Sequence, residues 1–359
     1  MALPVYCLVL TLLGFYTFFL ANVFGKEPED TWKELTRVSG EERQKRLLSG
    51  AKAEGKALLY GNIDADHLER LRLDFERRYA GIKLEVWRAS GEKTSNRVLT
   101  EARAGKYAVD VVAPSNEHLP VLMQAGLIGR YSSPGRNAYP DFHKDREGYW
   151  SSYDYNLAVI AYNSRLVSAS EAPKKYEDFL NPKWKGDFAL DMDPDKAVMG
   201  WLKSWGYEKT EKFMRALIKN DVVVRKGHTL LAQLLCAGEF KLALELYAYR
   251  VVSLKHEKGC PVEIVYPDPT PGAVTPLSIA KRAPHPYAAA LLVDYIISEP
   301  AQRILAERGR LSGRRGIAPK YPDLDVEAKK VRLLLLRPED AEQMGKRYQQ
   351  LREEFILQR

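Results

Sequence analysis

Tyr247 and Tyr249 stand two residues apart at the end of the apolar run Leu242-Ala243-Leu244-Glu245-Leu246. In a strand, residues at that spacing face the same side, so two phenols would project together. Phenols hydrogen-bond, stack on flat solutes or, as phenolates, ligate a hard metal. Just upstream, Gly227-His228-Thr229 opens a segment with Leu230, Leu231, Leu234 and Leu235 at helical spacing. Gly238 closes it, in the usual place for glycine just past a helix end. A helix start presents free backbone N–H groups and the positive end of its dipole, which favour carboxylate, phosphate or sulfonate. His228 either touches a solute there or only caps the helix. The stretch Arg225–Tyr249 therefore has the chemistry of a wall that holds a small polar molecule.

Catalytic arrangements are missing from the sequence. No G-x-S-x-G elbow, H-E-x-x-H pair, phosphate P-loop or G-x-G-x-x-G turn occurs. No nucleophile pairs with His228, so binding is expected and an enzyme is not.

The elements that must position such a wall are legible. Ala57–Tyr60, Ile82–Trp87 and Val109–Val112 are short apolar strands, each followed by a polar turn and a helix. Strand, turn and helix in repetition specify an α/β fold with a largely parallel sheet. Ligands of such sheets sit beyond the carboxyl ends of the strands. The turns there offer Asn62, Ser90 with Gly91, and Ser115 with Asn116. Each is also a good helix cap with no further role. Arg88 and Arg225 end strands, where each would pair with an anion or form a rim salt bridge. Tyr153 and Tyr155, two residues apart and candidates to line a ligand cleft, lead into the apolar strand Leu157–Tyr162, which could cross between two lobes. After Phe188–Leu190, Asp193 suits a cap and Pro194 the first helical position.

Composition sets bounds. The chain has 359 residues, 45% of them hydrophobic, enough for one large or two ordinary domains. Lys+Arg 55 against Asp+Glu 47 gives +8, spread along the chain with no basic block among aromatics. Nucleic-acid binding is not supported by that pattern. From Ala2 to Gly25 no side chain is charged, which reads as a signal peptide or an N-terminal membrane anchor over residues 1–25. No Lys or Arg precedes the apolar run, which weakens the signal-peptide reading. Of three cysteines, Cys7 lies in that run. Cys236 and Cys260 form either one disulfide or two buried free thiols.

Several strings together resemble the extracellular solute-binding proteins of ABC transporters, the family that includes ferric-iron binders. They are EGKALLYGNI, FERRYAGIKLEVWR, TEARAGKYAVDVV, LMQAGLIGRY, GYWSSYDYNLAVIAYN, YEDFLNPKWKG, AQLLCAGE and APHPYAAALLVDYIIS, in that order across most of residues 40–320. The resemblance implies a two-lobed type 2 periplasmic-binding fold, each lobe a mixed, mostly parallel sheet flanked by helices, with the ligand in the cleft between. Residues 40–160 and 275–359 would form the first lobe with the C-terminal helices, and residues 161–274 the second. The charged helix over 338–357 is expected on the first lobe. The implied partners are a small-molecule ligand and a transporter permease, with the protein exported and acting as a single copy. A membrane-anchored sensor of the same fold is an alternative.

The resemblance also raises ferric iron. Iron binders of the family share two adjacent tyrosines, with a His and a carboxylate from the first lobe in many members. Here the tyrosines are Tyr247-Ala248-Tyr249, and the first-lobe turns supply Asp64 but no early His. Iron held by Tyr247, Tyr249 and Asp64 is therefore the second choice. A small anionic organic or oxyanion-bearing solute is the first, with no resident cofactor.

Overall fold

The computed structural model describes residues 27–357. The expected signal peptide or anchor lies outside the described residues. Among those described, no helix is long and apolar enough to cross a membrane.

The first lobe opens with helices α1 (Pro28–Arg37) and α2 (Gly40–Glu54). Then follow β1 (Lys56–Gly61), α3 (Ala65–Arg78), β2 (Lys83–Arg88), α4 (Gly91–Arg103), β3 (Val111–Ala113) and α5 (Leu119–Gln124). A long strand, β4 (Ser151–Asn163), leads out. The second lobe holds β5 (Phe188–Asp191), α6 (Asp195–Trp205), α7 (Tyr207–Lys219), β6 (Val223–Arg225), α8 (His228–Ala237), β7 (Leu242–Tyr247), α9 (Ala248–Lys258) and β8 (Val262–Val265). Strand β9 (Thr270–Ile279) returns, and α10 (Pro286–Ile296) and α11 (Glu299–Ala306) rejoin the first lobe. The chain ends with β10 (Leu333–Leu336) and α12 (Pro338–Arg352).

One curled sheet runs through both lobes in the order β2-β1-β3-β9-β4-β7-β5-β6, with β10 beside β9 and β8 beside β4. β1 is parallel to β2 and β3, and β5 is parallel to β6 and β7. Between these parallel halves lie β4 and β9, antiparallel to each other and to their outer neighbours. These two crossing strands make the fold a two-lobed one of the expected mixed α/β class. Their burial on both faces explains the near-continuous apolar run Leu157–Ala161.

Each lobe has its own core, in which a fully buried large side chain contributes about 1.5–3 kcal/mol. The first gathers Trp32, Phe75, Leu291 and Tyr295. The second gathers Phe179, Phe188, Trp201 and Met214. A smaller cluster under α8 holds Leu231, Leu235, Ala243 and Leu246. Cys236 and Cys260 are disulfide-bonded at its edge, with Cα atoms 5.3 Å apart.

Two expectations change here. The C-terminal helix packs chiefly on the second lobe and not the first: α12 buries Ala341, Tyr348 and Leu351 in the second-lobe core, beside α6. Amphipathic spacing shows that a helix has an apolar face but not which surface covers it. Tyr249 is not in a strand: β7 stops at Tyr247, and Tyr249 lies in the first turn of α9.

Candidate functional site

The cleft between the lobes encloses about 360 Å³. That is within the usual range for a small-molecule site. Asn62, Asp64, Ser115, Asn116 and Tyr153 line it from the first lobe and the crossing strand. Asp193, His228, Tyr247 and Tyr249 line it from the second. Wider grooves elsewhere flank α1 on the outside of the first lobe and contain none of these residues.

Local folding explains how they converge. Gly227 takes φ +105°, a value that favours glycine, and turns the chain from β6 into α8. Its N–H donates to Asp191 Oδ2 at 2.8 Å, tying that turn to the end of β5. His228 then lies flat on Tyr247, ring centroids 3.9 Å apart and planes 10° from parallel. The Tyr247 and Tyr249 rings stack at 6.1 Å despite belonging to a strand end and a helix start. On the first lobe Asn62 Nδ2 donates to Ser115 Oγ at 3.0 Å, which joins the two turns.

Five of the expected residues stand apart from the cleft. Arg88 is exposed and donates to the Ile63 carbonyl at 2.8 Å. Ser90 caps its own helix, accepting from the Lys93 N–H. Gly91 is buried for close approach: a Cβ there would collide with Ser115 Oγ. Thr229 is exposed, because one helical residue carries it about 100° around from His228. Tyr155 packs in an apolar cluster with Leu311 and Tyr321. The β4–β9 register shifts between Ser152 and Asp154, so the two-residue rule that would pair Tyr153 with Tyr155 fails at this bulge. Asp193 reaches the cleft but caps nothing, since α6 starts at Asp195. It accepts instead from Tyr348 of α12.

Two buried cations were not anticipated. Lys196, 8% exposed, sits in the first turn of α6. Its Nζ donates to Asp195 Oδ2 at 3.0 Å and to Tyr247 Oη at 3.1 Å. Burial works against its charge, but Asp195, Tyr247 and Glu117 outweigh it and raise its pKa well above the lysine range. Arg310, 6% exposed, donates Nε to Asp154 Oδ2 at 2.5 Å and lies over the Tyr249 ring at 4.2 Å. Lys196 follows a strand end, the context that marked the other turns, so it was within reach of the sequence. Arg310 comes from a loop after α11 and carries no local signal.

Most of the remaining charges are paired. His228 Nε2 and Glu245 Oε2 are 2.7 Å apart, and Nδ1 lies 3.5 Å from Asp191. Burial opposes a charge on His228, yet Glu245 and Asp191 prevail and lift its pKa. Asp64 receives Arg250 at 3.3 Å and the Tyr249 hydroxyl at 3.4 Å. Glu117 is held low, to about 2: burial pushes it up, but His118 and Lys196 more than compensate. Tyr247 is pushed well above the phenol range by burial, with Lys196 offsetting only part. Among buried groups at the cleft, Asn116 Oδ1, Glu117 Oε2 and Asn156 Oδ1 have no hydrogen-bond partner.

Two parallel half-sheets joined by antiparallel crossing strands, with helix starts facing a shared cleft, define a type 2 periplasmic binding protein. The solved structures that resemble the chain share this fold. Iron-bound HitA from Pseudomonas aeruginosa superimposes with a TM-score of 0.74 at 21% identity, over 82% of this chain and 99% of that one. AfuA from Actinobacillus pleuropneumoniae, bound to exogenous fructose-6-phosphate, gives 0.71 at 20% identity, over 84% and 98%. Residues 110–329 match the family described as "Bacterial extracellular solute-binding protein", and the chain belongs to it. Iron uptake protein A1 of Synechocystis sp. is 25% identical over 183 residues, 47% of this chain and about half of that protein, 51%. The Fe(3+)-binding periplasmic protein of Serratia marcescens is 21% identical over 308 residues, 78% of this chain and 86% of that one.

Proposed function

We propose that this protein captures a small, anion-bearing organic solute outside the cytoplasm and passes it, as a single copy, to the permease of an ABC importer. One observation carries the reading. Three second-lobe helices, α6, α8 and α9, start at the cleft, and Lys196 stands among their first turns. Their first-turn N–H groups have no intrahelical partner and carry partial positive charge, an arrangement suited to an oxyanion. The lining carboxylates Asp64, Asp191, Asp193 and Asp195 already have partners, so they subtract little from that attraction. The unpartnered acceptors on Asn116, Glu117 and Asn156 call for donors on the same solute, such as hydroxyl or amino groups.

Ferric iron is the second reading. It is favoured by the meeting of Tyr247, Tyr249 and Asp64 in one cleft and by the names of the two curated relatives. Three features weigh against it. The Tyr247 oxygen accepts from an ammonium, Asp64 is paired with Arg250, and burial makes the Tyr247 phenolate costly to form.

A thermal-shift panel of sugar phosphates, phosphonates, organic acids, neutral sugars and ferric citrate separates the two. Binding to the native state alone at one hundred times Kd adds about 2.7 kcal/mol of stability. The expected result is a shift with one of the anions that disappears in Lys196→Gln. A shift with ferric citrate alone would sink the reading.

A further inference from the structure

The C-terminal arm, Leu333–Arg352, touches both lobes, and it does so unequally. On the second lobe its seat is apolar: Leu336, Ala341, Tyr348 and Leu351 are buried there. An ion pair and a hydrogen bond reinforce that seat, with Lys203 on Asp340 at 2.6 Å and Arg352 donating to the Met192 carbonyl at 3.0 Å. Strand β10 adds a four-residue parallel ladder to the crossing strand β9.

On the first lobe the contacts are polar and few. Asn116 Nδ2 donates to the Arg337 carbonyl at 3.2 Å, and Trp150 Nε1 to Glu339 Oε1 at 3.2 Å. Gln124 Nε2 donates to Glu342 Oε1 at 2.7 Å. Arg337 lies over the Trp150 ring at 5.3 Å.

Breaking the two sets costs different amounts. Lifting the arm off the second lobe would expose several large apolar side chains, each worth about 1.5–3 kcal/mol. Releasing the first lobe exchanges a few hydrogen bonds for bonds to water, at about 1 kcal/mol net each. When the lobes part, the arm therefore stays with the second lobe and the first lobe lets go.

We propose that this arm is an interlobe latch, fixed to the second lobe and closing reversibly on Asn116, Gln124 and Trp150 of the first. Two of its contacts reach the cleft lining itself, Arg337 through Asn116 and Tyr348 through Asp193. Seating of the arm and the shape of the cleft are thus coupled from both sides. The latch does not depend on which solute the cleft takes.

The test uses the full chain without added solute. Spin labels on Arg103→Cys and Lys212→Cys, exposed positions on opposite lobes, report the interlobe distance by pulsed electron resonance. The double change Glu339→Ala and Glu342→Ala removes two first-lobe acceptors from the arm. It should lower the ratio of short to long distances about thirtyfold, the factor implied by two net hydrogen bonds of about 1 kcal/mol each. Lys203→Ala breaks a contact to the second lobe only and should leave the distribution unchanged. An unchanged distribution in the double variant would overturn the latch. So would an equal change in Lys203→Ala, since the arm would then merely have loosened.

Discussion

Replacing Glu245 with glutamine should reverse the direction in which the protein shifts the pKa of His228. Glu245 has no exposed surface and meets His228 Nε2 at 2.7 Å. Burial alone would keep the imidazole neutral, and the two carboxylates overcome it. Glutamine preserves shape and a hydrogen bond but removes the nearer charge. Asp191 remains at 3.5 Å, so the pair is weakened rather than erased. A hydrogen bond to a charged group is worth about 1.5–3 kcal/mol, and removing one partner of a buried pair about 3–5. With Asp191 still present, a loss of about 2 kcal/mol at pH 5.5 is expected. The raised pKa means that the contribution of His228 is complete below its unfolded value, about 6.5, and is lost as pH rises through its higher folded value. The penalty of Glu245→Gln should therefore be greatest in acid and shrink toward pH 8.5. Carbon-13 titration of the histidine rings, assigned with His228→Asn, gives the pKa directly, and urea melts at both pH values give the stability. His228 should titrate above 6.5 in the wild type and below it in Glu245→Gln. A value above 6.5 in both, or a penalty independent of pH, would refute the reasoning.

Other consequences are open to simpler measurements. Cys236→Ser with Cys260→Ser, or reductant added to the wild type, should cost about 3 kcal/mol through loop entropy over a separation of 24 residues. Calorimetry should show a melting point lower by roughly 5 °C or more, and an unchanged one would deny the bond a stabilising role. His143 is buried among Phe142, Tyr139 and Tyr155, and burial lowers its pKa to about 4. Its stabilising effect is present above about 6.5 and lost as pH falls toward 4, so His143→Leu should flatten the loss of stability over that window. An acid limb of the same slope in both proteins would contradict this.

Much of the architecture was readable because local rules and tertiary structure agree. The strand-turn-helix units around Asn62 and Ser115 obey them, as does the stretch from Gly227 to Tyr247. The rest was hidden for identifiable reasons. Strand β9 includes Pro271 and Pro276, so its sequence shows an extended segment but not a ladder partner. The Leu333–Leu336 run becomes a strand only because β9 is there to receive it. Tyr155 was misplaced because a bulge interrupts strand alternation, and a bulge has no signature among these residues. Lys196 breaks the expectation that a helical lysine faces water, and it is buried because Asp195 and Tyr247 meet it. Arg310 gains its place through the path of a loop, which no periodicity records.

The central claim is that the cleft binds an organic anion and not a ferric ion, and an absorbance titration with ferric citrate tests it most directly. Two free phenols meeting iron would produce a visible charge-transfer band. Because Lys196 holds Tyr247 and Arg250 holds Asp64, the spectrum of the purified protein should show no such band as ferric citrate is added. A saturable band that vanishes in Tyr247→Phe would contradict the account.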